Sequence, residues 1–143
     1  MKRKITIVGG GNLGRAIAGG LLQSSFTEAA NLTITRRNIA GLHDLAAQGV
    51  HCTPHNVPAV RDSDLVILAV KPFQAVSVLQ EIGAVLKPGV VLVSVVTGVL
   101  IDELAGLLAP GTAIVRAMPN TAIAIRESMT CICYQDVPVQ DRV

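Results

Sequence analysis

The chain has 143 residues, half of them hydrophobic and 15% charged, with three aromatics and a net charge of +2. That is enough for one domain with a real core, too apolar for disorder, and too weakly basic to argue for nucleic acid. The longest apolar run, Val90 to Ile101, is broken by Ser94, Thr97 and Gly98 and falls short of the roughly 20 residues a bilayer helix needs.

In chain order, Lys4–Val8 reads as a short β-branched strand and Asn12–Gln23 as a helix with Leu13, Ile17 and Leu21 on one face. Leu32–Thr35 is a second strand, followed by a helical stretch over 38–48. His51–His55 reads as a short strand and loop, and Asp64–Val70 as a buried strand of the parallel type. Pro72 suits a first helical position, and the pattern predicts a helix over Gln74–Leu86. VVLVSVV (90–96) is the next strand, Ile101–Leu108 the next helix, and AIVRAM (113–118) and SMTCICY (128–134) the last two strands. Such alternation predicts an α/β fold with right-handed crossovers: a doubly wound, mostly parallel, Rossmann-type sheet in a single domain over 1–143. No internal repeat, linker or composition shift marks a second domain.

The first strand–helix junction is glycine-rich. Gly9, Gly11 and Gly14 fit G-x-G-x-x-G: Gly9 for a tight turn, Gly11 for backbone approach to a pyrophosphate, Gly14 for close helix–strand packing. The free N–H groups of the first helical turn would face the anion. The alternative is a turn that serves packing alone. An NAD-binding chain would place Asp or Glu at the end of the second strand; here stand Thr35, Arg36, Arg37 and Asn38. Two guanidiniums and no carboxylate suit a 2′-phosphate, so NADP(H) is expected, with NAD(H) less favoured. A solvated basic loop is the alternative reading.

Four motifs in order, GGGNLGRAIAGGL, LAVKPFQ (68–74), SVVTGV (94–99) and VRAMPNTA (115–122), resemble those of the pyrroline-5-carboxylate reductases. The resemblance implies an NAD(P)H-dependent oxidoreductase that reduces a cyclic imine, 1-pyrroline-5-carboxylate, to L-proline. It implies a phosphate loop at Gly9, Gly11, Asn12, Leu13 and Gly14, a 2′-phosphate region at Arg36 and Arg37, and an adenine-ribose contact at Asn56. Ala69, Val70, Lys71 and Pro72 would line the cofactor, and Thr97 would approach the nicotinamide. Met118, Asn120 and Thr121 would lie near the substrate. No catalytic acid or base is nominated.

Taken alone, Lys71 is a surface lysine at a helix start and Asn120 a turn residue. Two positions depart from the family pattern, Ala122 for a proline and Ser128 for a glycine, which predicts a looser or altered substrate loop. Members of that family continue into a helical domain that forms the dimer and holds the substrate carboxylate. This chain is expected to lack it, ending at QDVPVQDRV (135–143), and to leave apolar sheet surface exposed. Expected partners are therefore the small-molecule substrate and a homo-oligomeric copy or helical domain, with no nucleic acid or membrane. Alone, the chain is expected to bind NADPH and turn over weakly or not at all.

Three cysteines without a secretory signal predict a reducing, cytoplasmic setting. Cys131 and Cys133 share a strand face and read as buried inert thiols, and no metal site is expected from them or from His43, His51, Cys52 and His55. Arg116, inside an apolar strand, is expected to have a carboxylate partner, with Asp102 and Glu103 as candidates, or a rim position. The competing functional reading is a non-catalytic NADP-binding module or partner subunit. A prephenate- or hydroxyacid-type dehydrogenase is a third, opposed by LAVKP followed by MPNT.

Overall fold

The structure, a computed structural model, describes residues 3–138 apart from the side chain of Thr121. Its strands are β1 (Ile5–Val8), β2 (Leu32–Thr35), β3 (His51–Thr53), β4 (Leu65–Leu68), β5 (Val91–Ser94), β6 (Ala113–Pro119) and β7 (Thr130–Gln135). Its helices are α1 (Asn12–Gln23), α2 (His43–Ala47), α3 (Asn56–Val60), α4 (Pro72–Ile82) and α5 (Ile101–Ala105).

The strands form one sheet in the order β3-β2-β1-β4-β5-β6-β7. All pairings are parallel except β6–β7, which is antiparallel. The order reverses between β1 and β4, and the crevice at the carboxyl ends of those two strands is where open α/β sheets take their ligands. Both faces of the central strands are covered. On one side Val8, Val66, Leu68, Leu92 and Ile114 pack with Leu79 and Ile82 of α4 and Leu104 of α5. On the other, Ile5, Ile7, Ile34 and Ile67 pack with Ala18 of α1 and with Leu42 and Leu45 around α2. Each such side chain removed from water is worth about 1.5–3 kcal/mol, which is why β4 reads as an unbroken apolar run and β1 as one interrupted only by Thr6.

Several helices are shorter than the periodicity predicts. The stretch over 38–48 is a 3-10 turn, Ile39–Leu42, followed by α2. Asn38 caps that turn by accepting a hydrogen bond from the Ala40 amide (3.0 Å). The helix of 74–86 begins at Pro72, as proline at a first helical position allows, and gives way at Gly83 to a 3-10 turn. The helix of 101–108 ends after Ala105, where Gly106 caps it.

Two expectations about the outer strands need correction. Cys131 and Cys133 are exposed, not buried, because β7 is an outer strand with no helix laid over it among the described residues. Ile132 and Tyr134 of the same strand are 64% and 51% exposed, and Met129 beside them 77%, so the uncovered apolar surface expected at this edge is present. Arg116, half-buried on β6, pairs with neither carboxylate, so of the two arrangements expected for it the rim position is the one that remains. Its Nε is buried without a hydrogen-bond partner among the described residues, while Glu103 accepts from the Leu100 amide (2.7 Å) and Asp102 is exposed. The end of the segment 135–143 lies outside the described residues. Among the described residues no helix is long and apolar enough to cross a membrane.

Candidate functional site

The crevice is built around the turn after β1. Gly9 has φ +111°, a value that side chains rarely tolerate, and a β-carbon there would collide with the carbonyl oxygen of Ala69 at the end of β4. Gly10 is held under β2 by its N–H, which donates to the Thr35 carbonyl (2.7 Å) beside the weaker Gly9 N–H bond to the same oxygen (3.2 Å). A β-carbon on Gly14 would collide with the carbonyl oxygen of Gly9, so α1 sits directly on the turn.

Gly11 is different. It is exposed, its backbone is extended (φ −76°, ψ −165°), and a β-carbon there would meet nothing within 4 Å. Packing within the chain gives no reason for glycine at this position; an object approaching from outside does. The first turn of α1 has no side-chain cap and no acidic residue among the described residues. Its leading amides therefore face that open space at the positive end of the helix dipole.

The remaining predicted residues surround this turn at the carboxyl ends of the strands. Arg36 and Arg37 follow β2. Arg36 is half-buried, with its guanidinium against the backbone of Gly41, and Arg37 is exposed. Asn56 opens α3, a five-residue helix that sequence periodicity missed. Its Oδ1 accepts from the Thr35 hydroxyl (2.7 Å) and its Nδ2 donates to Glu81 on α4 (3.1 Å). Ala69 follows β4 directly, its amide donating to the Val8 carbonyl (2.8 Å). Val70 is half-buried, and Lys71 and Pro72 are exposed at the head of α4. Thr97 is exposed after β5, beside Gly98 with φ +78°.

At the far rim, Met118 is half-buried on β6 and Asn120 caps the 3-10 turn Thr121–Ile125, accepting from the Ala122 amide (3.1 Å). The Asn120 amide donates to the Ser128 hydroxyl (3.1 Å). Both departures from the family pattern thus bond to Asn120. A proline at 122 could not donate that amide, and a glycine at 128 has no hydroxyl. The loop is altered and tied down, not loosened. Asn120 fills the role of a turn residue here.

Behind the crevice, Arg15 on α1 pairs with Asp44 on α2 at 2.8 Å. The hydrogen bond from Arg15 holds the Asp44 carboxyl below its ordinary range. Burial, with a smaller contribution from Asp44, pushes the Cys52 thiol up, as befits a structural thiol. A separate hollow lined by Arg3, Ile5, Leu22, Phe26 and Glu28 lies at the opposite, amino end of the sheet and takes no part in this geometry.

A doubly wound sheet with a glycine turn and uncapped helix start at its switch point defines a Rossmann-type α/β fold. Residues 4–98 match the family described as NADP oxidoreductase, coenzyme F420-dependent, and the chain belongs to that family. It is 38% identical over 131 residues to pyrroline-5-carboxylate reductase 1 of Dictyostelium discoideum, covering 92% of this chain and 24% of the relative. Among solved structures it is similar to a pyrroline-5-carboxylate reductase from Coxiella burnetii, with a TM-score of 0.91 and 31% identity over 98% of this chain and 53% of that one. It is also similar to the Plasmodium falciparum pyrroline carboxylate reductase with NADP bound, with a TM-score of 0.86 and 26% identity over 98% of this chain and 51% of that one. The resemblance carried by the four motifs thus extends over more than nine-tenths of the chain. The chain spans between a quarter and a half of the length of the first curated relatives it matches.

Proposed function

We propose that this chain is the coenzyme-binding part of a pyrroline-5-carboxylate reductase, reducing 1-pyrroline-5-carboxylate to L-proline with NADPH in preference to NADH. The observation that carries the reading is the open space at Gly11 above the uncapped start of α1, in a chain with these relatives. The leading amides of α1, from Asn12, Leu13 and Gly14, would hold the pyrophosphate. Arg36 and Arg37 would meet the 2′-phosphate with paired N–H donors. Asn56, already fixed by Thr35 and Glu81, would stand at the adenine-ribose side, while Ala69 to Pro72 and Thr97 would line the nicotinamide end.

With a nicotinamide coenzyme held by these residues, its reduced ring would supply a hydride to the imine carbon. The protonated imine already carries its charge, so these residues have little acid–base work to do. Their part is to fix distance and direction, which can lower the barrier by several kcal/mol. Met118, Asn120 and Thr121 border the place where substrate would enter. A helical domain supplied outside the described residues would hold the substrate carboxylate and close the site.

Calorimetric titration with NADPH and NADH, followed by NADPH oxidation with pyrroline-5-carboxylate, tests the reading. NADPH binding, little turnover by the 143-residue chain, and turnover recovered on adding a family helical domain in trans are expected. No NADPH binding overturns the reading. Full turnover by the chain alone overturns the requirement for a helical domain, and binding with no recovery in trans favours a non-catalytic module.

A further inference from the structure

The outer strand pair gathers a group of side chains of which only Met118 also borders the proposed substrate site. β6 and β7 are in register so that Cys131 stands opposite Met118 and Cys133 opposite Arg116. Residues two apart on a strand share a face, so all four lie on one side of the sheet. Both thiols are free and exposed, and Met118 and Arg116 are half-buried.

Spacing decides what the two thiols can do. Two residues along a strand advance about 6.8 Å, and same-face β-carbons keep that separation. A disulfide needs β-carbons at roughly 3.5–4.5 Å, so Cys131 and Cys133 cannot cross-link without moving the backbone. A bridging metal ion has a different requirement. With three sulfurs around one ion, metal–sulfur bonds of about 2.3 Å set neighbouring sulfurs about 4.0 Å apart, within reach if each thiol leans about 1.4 Å toward the other. Opposite residues on antiparallel strands hold their β-carbons about 4.5–5.5 Å apart, which puts Met118 within side-chain reach of Cys131.

We propose that Cys131, Cys133 and Met118 form a three-sulfur site for copper(I). Thiolate and thioether sulfur select soft ions of this kind. Among the described residues no group of three or more His, Cys, Asp or Glu side chains could hold a metal, which leaves zinc and calcium without their usual ligands. Two thiolates around a monovalent cation leave one negative charge. Arg116, opposite Cys133 and with a buried Nε that lacks a partner among the described residues, places a compensating positive charge beside it. The site rests on the strand register and the exposure of the two thiols, and Met118 is the one residue it shares with the reductase reading.

The test is anaerobic titration of the reduced chain with copper(I) held by a chromogenic chelator, followed by X-ray absorption at the copper edge. One equivalent per chain with three sulfur neighbours is expected, and two would remove Met118 from the site. Cys131→Ser or Cys133→Ser, both at exposed positions, should each weaken binding by more than the roughly 10–100-fold that follows loss of an outer partner at a metal site. Met118→Leu should weaken it less, and Cys52→Ser should leave it unchanged. Circular dichroism on each variant confirms that the fold is kept. No retained copper, retention insensitive to both cysteine variants, or half an equivalent bridging two chains would each overturn the proposal.

Discussion

Gly11 and Gly14 belong to one motif, yet the structure assigns them opposite sensitivities, and a pair of substitutions separates them. In Gly11→Leu the new side chain enters open space, and the backbone is already in a region any residue adopts. The folding cost is confined to a poorer helix cap, on the order of 1 kcal/mol or less, or a drop of a few degrees in Tm. Coenzyme binding should suffer far more. If the leucine displaces a phosphate from two amides of α1, each charge-assisted bond is worth about 1.5–3 kcal/mol. The total of about 3–6 kcal/mol is a loss of roughly 10²–10⁴ in Kd. Gly14→Ala should do the reverse: its β-carbon strikes the Gly9 carbonyl, and overpacking of that kind costs about 1–3 kcal/mol of stability. Paired thermal melts and NADPH titrations read both effects. An unchanged Kd for Gly11→Leu, or a Gly14→Ala chain as stable as the parent, would refute the assignment.

Replacing Arg36 and Arg37 together by Ala should lower NADPH affinity by about 10–100-fold, the value of a single charge-assisted bond, and leave NADH affinity nearly unchanged. Equal losses for the two coenzymes would remove the 2′-phosphate from the argument. Asp64 gives a pH-dependent prediction. Its carboxyl is held below the ordinary value of 3.8, chiefly by the hydrogen bond from Lys87 and then by the Lys4 amide. A lowered folded-state pKa stabilises the fold above the unfolded value and loses that contribution as pH falls through the folded value. The pair is over a third exposed, so Asp64→Asn should cost less than about 1 kcal/mol at pH 7, and the gap should close below pH 3.8. Melts from pH 7 to 3 measure it; a gap independent of pH would contradict this account.

The sequence made the framework legible where local pattern and burial agree. β1, β2, β4 and β5 are short apolar runs at the centre of the sheet, and α1 carries an unbroken stripe from Leu13 to Leu21. The glycine turn was legible because each glycine answers a steric demand that lies close in the chain or at a neighbouring strand end. What escaped was non-local or too short. α3 has five residues, with Pro58 among them, and so no period to detect. The bonds that fix Asn56 reach Thr35 and Glu81, 21 and 25 residues away. Cys131 and Cys133 sit in an apolar run that looks like core, and only strand order reveals that nothing covers it. The antiparallel course of β7 follows from a link of ten residues, 120–129, containing only a 3-10 turn, too short for a helical crossover.

The turn after β1 is gripped from three sides: Thr35 takes the amides of Gly9 and Gly10, Ala69 closes over Gly9, and Gly14 rests on its carbonyl. Its conformational entropy is therefore surrendered once, when the chain folds, and nothing in the turn needs to freeze when a nucleotide arrives. A receptacle already set in this way would let a spent nucleotide leave and a fresh one dock without a rearrangement in between. The proposed reductase would exchange its carrier in this way at every cycle.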